Sequence, residues 1–222
     1  MNSYGQYCPI SRSAEILGDR WTILIVRDLL TGSTRFNELI RGNPGLSRAL
    51  LSRRLRQLQL AGIVEQADDG TYEMTEAGQD LLPVVFGLAE WGARWAFGEP
   101  EPAELDPDLL MWWLHRELDT SELPGERFTV YVTFTDHPKR YWVVAEPPSP
   151  ASLCTADPGF EVDVSLRTDR ATLYRVYLGR SAYAAARRDG SIEISGPTPS
   201  VRAFTRSFQP SPVASIVAAA GR

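Results

Sequence analysis

Gly42-Asn43-Pro44-Gly45-Leu46-Ser47-Arg48-Ala49-Leu50-Leu51-Ser52-Arg53-Arg54-Leu55-Arg56-Gln57-Leu58-Gln59-Leu60 is the stretch on which the fold turns. Its first four residues are helix breakers and spell a turn. Ser47 is a suitable N-cap for a helix running to about Leu60, and Gly62 ends it. Leu51, Leu55 and Leu58 share one face of that helix and suit a core. Arg48, Ala49, Ser52, Arg53 and Arg56 lie on or beside the opposite face. Small residues allow close approach to base edges, and guanidinium groups supply paired donors for guanine or charge for phosphate.

Working outward, residues 13–30 carry Ile16, Leu17, Trp21, Leu24, Ile25 and Leu29 at helical spacing. Gly32 closes that run. Thr34 is the expected cap of a short helix over 35–41, with Phe36, Leu39 and Ile40 inward. Downstream, 63–66 and 71–74 read as strands joined by Asp68-Asp69-Gly70, a hairpin signal. Thr75 then caps a long helix over 76–97, carrying Leu81, Val85, Leu88, Trp91 and Trp95, with Pro83 expected to kink it. The order is helix, helix, turn, helix, hairpin, helix, that of a mainly-α winged helix-turn-helix. Ser47, Arg48, Ala49 and Ser52 are then the expected contacts at the start of the reading helix. Arg53 and Arg56 are expected phosphate clamps, while Arg54 suits either role or an internal pair. Arg35 and Asn37 at the second helix, with Thr71 and Tyr72 on the hairpin, complete the candidate DNA-contact set.

Charge distribution fits double-stranded DNA as a partner better than net charge does. The chain of 222 residues has a net charge of −5. Between Arg35 and Arg56, however, six arginines face Glu38 alone, whereas five acids and no base lie between Glu99 and Asp108. A hydrophobic content of 43% argues for globular domains rather than wholesale disorder. No signal-peptide pattern and no membrane-length apolar run is present, so a cytoplasmic location and no membrane partner are expected. The two cysteines, Cys8 and Cys154, make neither a disulfide framework nor a metal cluster. The expected domains are 1–98, for DNA binding and dimerisation, and 108–222. An acidic, Pro-rich linker over 99–107 separates them.

The second half alternates strand and helix patterns, implying an α+β layer. Helices are expected over 108–119, 169–178, 181–188 and 201–208. Strands are expected over 127–135, 140–145, 152–156, 160–167 and 192–195. Gly179-Arg180-Ser181-Ala182-Tyr183 lacks the last glycine of a hydrolase elbow. His115 and His137 have no spaced ligand companions, and no phosphate-cradling loop occurs. No enzyme, metal or cofactor is expected.

Several segments together resemble the HxlR family of bacterial winged-helix regulators. They are Cys8-Pro9-Ile10, Leu17-Gly18-Asp19-Arg20-Trp21-Thr22-Ile23-Leu24-Ile25, Arg35-Phe36-Asn37-Glu38-Leu39, Pro44-Gly45-Leu46-Ser47, Leu51–Leu58 and Ala89-Glu90-Trp91-Gly92-Ala93-Arg94-Trp95. The resemblance covers about 7–97. It implies a homodimer joined by the first and last helices of the domain, with two recognition helices entering successive major grooves. Glu65, Asp68 and Asp69 depart from that family's longer, more basic wing. Some HxlR-type relatives sense oxidants through a cysteine at the place of Cys8, and Arg12, one turn on where that segment is helical, would favour a thiolate; the alternative is a buried, inert thiol packed near the dimer helices.

The run Asp163–Leu173, then Gly179-Arg180, Ala184-Ala185-Ala186 and Asp189-Gly190-Ser191-Ile192 resembles the sterol carrier protein fold over about 108–214. This resemblance implies a sheet covered by helices around a hydrophobic tunnel. Trp112, Trp113, Tyr131, Trp142, Phe160, Tyr174, Tyr177, Phe204 and Phe208 are its candidate lining, unless they are plain core. The expected function is a dimeric regulator of transcription, nucleoid-associated and gated by a hydrophobic small molecule. The alternatives are a thiol-based sensor using Cys8, or a lipid carrier whose first domain only dimerises.

Overall fold

A computed structural model describes residues 3–221. The chain folds as two compact units that divide after Leu88. The first contains α1 (Pro9–Leu17), α2 (Thr22–Leu30), α3 (Phe36–Arg41), α4 (Arg48–Leu60), β1 (Val64–Gln66), β2 (Tyr72–Met74) and α5 (Glu76–Gln79). The dividing point lies within α6 (Leu82–Trp95).

The single helix expected over 13–30 is two helices. Gly18 closes α1, its N–H donating to the Ala14 carbonyl. Trp21 then takes a left-handed φ of 78°, so the chain turns before α2 begins. The stripe of apolar residues runs straight across this break, and periodicity alone does not detect it. Arg35, not Thr34, is the N-cap of α3; the Glu38 carboxylate accepts from the N–H of Thr34 (2.8 Å) and of Arg35 (3.0 Å). The helix expected over 76–97 is also divided. Thr75 Oγ1 caps α5 at Gly78 N–H (3.1 Å), and Pro83 sits in the first turn of α6, where its missing N–H costs nothing. Pro83 therefore starts a helix rather than kinking one.

Leu51, Leu55 and Leu58 of α4 are buried with Ile25, Val26 and Leu39, as their spacing demands. Asn43 fixes the turn before α4. Its Nδ2 donates to the buried Asp28 carboxylate (2.6 Å) and to the Leu39 carbonyl (2.8 Å). A Cβ on Gly42 would stand 2.5 Å from that carboxylate, which is why a glycine precedes Asn43.

In the second unit a five-stranded sheet has the order β5-β4-β3-β6-β7. Its strands are β3 (Phe128–Phe134), β4 (Arg140–Ala145), β5 (Ser152–Cys154), β6 (Val164–Thr168) and β7 (Ile192–Ser195). Among the described residues only the β3–β6 pairing is parallel, with Val130 opposite Val164. Phe128, Val130, Val132 and Phe134 join a core with α7 (Pro107–Arg116), α8 (Arg170–Tyr177), α9 (Tyr183–Arg188) and α10 (Thr198–Ser207). This mixed sheet with helices matches the expected α+β class. The strand expected from 160 starts at Val164, and the helix expected from 201 starts at Thr198. A final helix, α11 (Ala214–Ala220), lies beyond the expected elements; its alanines carry no amphipathic stripe.

The stretch expected as a tether, 99–107, lies folded on this unit. Leu105 is buried, Tyr174 Oη donates to the Asp106 carbonyl (2.8 Å), and Arg170 donates to the Leu105 carbonyl (2.8 Å). Its acidic end is occupied as well, since Glu99 accepts from Arg175 at 2.8 Å. Burial, together with the Asp106 charge, raises the Tyr174 phenol far above the ordinary tyrosine range.

Candidate nucleic-acid interface

α4 begins where Ser47 Oγ accepts from the Leu50 N–H (3.3 Å), so the Ser47 side chain serves as the cap its position predicts. Beyond it, Arg48, Ala49, Ser52, Arg53 and Arg56 are all exposed and fall on one side of the helix, away from the leucines. Arg48 is steadied from α3: its guanidinium lies 5.0 Å over the Phe36 ring and donates to Asn37 Oδ1 (3.0 Å). Asn37 and Arg48 are thus brought together at the start of both helices of the motif. Among the described residues Arg53 and Arg56 take part in no ion pair. Arg35 is exposed and stands 3.8 Å from Asp69 of the hairpin.

Three members of the expected contact set are engaged elsewhere. Arg54 is 7% exposed, on the leucine side of α4, and its guanidinium is held by Asp19, by the Arg20 carbonyl and by Gln57. The signal was present in the sequence: position 54 lies three residues after Leu51 and four before Leu58, on the buried stripe. Thr71 spends its hydroxyl on Asp69 Oδ1 (2.6 Å), which also accepts from the Thr71 N–H. Those two hydrogen bonds hold the Asp69 carboxyl below its ordinary range. Tyr72 is half-buried against the core of the first unit, its N–H donating to the Thr34 carbonyl (2.7 Å). The hairpin is acidic in place as well as in composition, with Glu65 directly opposite Glu73. Positive charge is therefore concentrated on α4 and the start of α3, not on the wing.

A family model described as HxlR-like helix-turn-helix matches residues 16–99. The uncharacterized HTH-type transcriptional regulator YvaP of Bacillus subtilis is 35% identical over 108 residues, covering 46% of this chain and 96% of YvaP. The chain belongs to the HxlR-like helix-turn-helix family. Rv3095 of Mycobacterium tuberculosis, also named an uncharacterized HTH-type transcriptional regulator, is 38% identical over 89 residues. That match spans 37% of this chain and little more than half, 56%, of Rv3095. Among solved structures, quinone-bound YodB of B. subtilis is 34% identical over 38% of this chain and 96% of its own, with a TM-score of 0.36.

Two further features of this HxlR-like chain lie outside α4. On α6, Val84, Leu88, Trp91 and Trp95 repeat at steps of four, three and four residues and are all exposed, the two tryptophans at 61% and 69%. Such spacing draws a narrow apolar seam along one side of a helix. The N-terminal arm is apolar and exposed too, at Tyr4, Tyr7 and Ile10. Cys8 is the half-buried N-cap residue of α1. The backbone N–H groups of Ser11 and Ile10 at the head of α1 hold the thiol below the ordinary cysteine range.

The nine aromatic candidates of the second unit do not gather around one space. Phe204 and Phe208 pack edge to face, Trp113 stacks on Tyr177 and meets Tyr174 edge-on, and Tyr131 pairs with Trp142 across β3 and β4. Trp112 is buried beside His115, and Phe160 lies at the surface beneath Arg127 (3.8 Å). Tyr174, Tyr177, Phe204 and Phe208 belong to the buried core. An apolar groove of about 300 Å³ lies elsewhere in the unit, lined by Ala89, Gly92, Ala93, Ala96, Phe97, Leu178, Val213 and Val217. None of the nine aromatics borders it. Among the described residues no helix is long and apolar enough to cross a membrane, and no group of His, Cys, Asp and Glu is placed to hold a metal ion.

Proposed function

We propose that this HxlR-like chain is a homodimeric, sequence-specific DNA-binding regulator of transcription, working at the bacterial nucleoid. The reading rests on one observation above the others: α4 buries its leucines and leaves Arg48, Ala49, Ser52, Arg53 and Arg56 together in solvent. Arg48, Ala49 and Ser52 sit in the first turns, where a recognition helix meets base edges; Arg53 and Arg56 follow as phosphate clamps. Asn37 and Arg35 extend the backbone contacts from α3. The α6 seam supports a second copy of the chain as partner, since a helix that leaves two tryptophans in water gains by covering them.

A mobility-shift titration against duplex DNA from upstream of the chain's own coding sequence tests this. Arg53→Ala should weaken binding to all sequences and reduce the salt slope by about 0.9, the effect of one lost phosphate contact. Arg48→Ala should also relax sequence preference. Equal effects from both variants would contradict the division of roles, and no binding by the parent chain would refute the function.

An apolar effector is the regulatory reading that the groove favours. A hydrophobic small molecule seated there would touch Ala89, Gly92 and Ala93, on the same helix that carries Trp91 and Trp95. Binding would then bias the assembly and, through it, the spacing of the two recognition helices. The lowered thiol of Cys8 favours a second reading, an oxidant- or electrophile-responsive switch. Cys8→Ser that leaves such a response intact removes it.

A further inference from the structure

An arginine on the buried side of α4 needs a reason. A guanidinium taken out of water is costly unless its donors are matched, and well-packed apolar residues often stabilise a fold as well or better. Arg54 is matched by three acceptors. Its Nη1 donates to Asp19 and to Gln57 Oε1 (2.7 Å), and its Nε donates to the Arg20 carbonyl (3.3 Å). Gln57 is on α4 itself, whereas Asp19 and Arg20 belong to the turn between α1 and α2. The bonds therefore tie the recognition helix to a turn more than thirty residues away in sequence.

The same turn is gripped from a second side. Trp21 holds the left-handed φ of 78°, which a bulky side chain adopts only when its surroundings impose it. Its ring lies against the α3–α4 turn, where a Cβ on Gly45 would stand 3.9 Å from it. Arg20 lies over the Trp21 ring, 5.3 Å from its centroid. Residues 19–21 thus lie beside the turn at Gly45 and touch the middle of α4 through Arg54. At its other end the turn continues α1, which the Tyr4 N–H and Ser3 hydroxyl tie to the N-terminal arm through Glu15.

We infer that Arg54 is a positioning residue: its fork of bonds to Asp19 and the Arg20 carbonyl fixes the rotation of α4, and so the direction in which Arg48, Ser52 and Arg53 face. The inference rests on the DNA-binding reading of α4 and adds a route to it. A displacement of α1, whether by the arm or by its neighbours, reaches the reading face through a turn that Arg54 holds rigid. Geometry is the quantity that Arg54 supplies; neither phosphate contact nor net stability is its role.

Asp19→Ala and Arg54→Met, singly and together, test this in the full chain. Asp19 is half-exposed, so Asp19→Ala opens no core cavity, and Arg54→Met puts an apolar side chain of similar reach on the buried side of α4. Both are titrated against the upstream duplex over a range of salt, and amide hydrogen exchange is followed along α4 without DNA. Each single variant should lose about tenfold in affinity, the scale of one charge-assisted hydrogen bond, with the salt slope unchanged. The double variant should lose no more than Arg54→Met alone, because without the guanidinium Asp19 has no tie left to lose. Exchange in α4 should quicken in both. Removing an acid ordinarily favours DNA binding, so an Asp19→Ala chain that binds as well as or better than the parent overturns the proposal. A salt slope reduced by about 0.9 in Arg54→Met would overturn it differently, by making Arg54 a phosphate contact. Should the parent chain bind no duplex, the DNA-binding reading falls, while α4 exchange still decides whether the tie exists.

Discussion

In α4, Leu51, Leu55 and Leu58 are buried to within 1% while the arginines at 48, 53 and 56 stand in water; in the second unit, aromatics of equal prominence are sunk in the core, Phe204 at 1% and Tyr177 at 3% exposed. The first unit buries ordinary residues and displays the distinctive ones. The second does the reverse around its sheet, although its own Trp91 and Trp95, on α6, stand exposed. An aromatic side chain gains a similar amount whether it is covered by its own fold or by a partner, so residue type alone does not tell the two situations apart. Arginine is different, because it leaves water only with partners supplied, and an arginine-rich face is exposed unless acceptors are built for it.

The largest test of that contrast is Phe204→Ala. Phe204 packs against Phe208 within the core that also holds Leu166 and Leu173. Truncation should cost about 3–5 kcal/mol and lower the thermal midpoint of the chain by several degrees or more. Were Phe204 the wall of an open tunnel, the loss would be small and the space would accept an apolar probe; a variant that melts with the parent would transfer this residue from core to lining.

Trp91→Ser is the matching change at the displayed end. It removes an exposed ring, so the melting of dilute, monomeric chain should shift by no more than about 0.5 kcal/mol. Assembly should suffer instead, by about 2 kcal/mol, or roughly thirtyfold in the dimer dissociation constant, if Trp91 is a central anchor. Analytical ultracentrifugation over a concentration series measures that constant. A variant with unchanged assembly and a strongly lowered midpoint would erase the distinction between the two groups of aromatics.

The same physics explains what the sequence disclosed. The turn Gly42–Gly45, the Ser47 cap, the inward leucines and the Asp68-Asp69-Gly70 hairpin are local features, and each lies where spacing put it. Arg54 was legible too, since it shares the leucine stripe, but its acceptors at Asp19 and Arg20 come from another part of the chain. The breaks at Gly18–Trp21 and Asp80–Leu81 were hidden because apolar spacing continued through them. The aromatics of the second half were the least informative. Their alternation located strands and helices, yet whether Tyr131 faces Trp142, or Phe160 lies under Arg127, depends on pairings between distant segments.

Ser47→Ala carries the smallest effect and separates two uses of one hydroxyl. Ser47 Oγ accepts from the Leu50 N–H, so its loss frees one donor at the head of α4 and should cost about 1 kcal/mol of stability. A neutral hydroxyl releases no counterion, so the salt slope of DNA binding should not move. Affinity measured well below the melting temperature then discriminates. If Ser47 only caps, the intact helix still presents Arg48 and Ser52, and binding to the upstream duplex should stay within about threefold of the parent, less than one hydrogen bond's worth. A tenfold loss at unchanged slope would mean that the same oxygen also meets the duplex, placing a contact at the cap itself and extending the displayed face of α4 by one residue toward the turn.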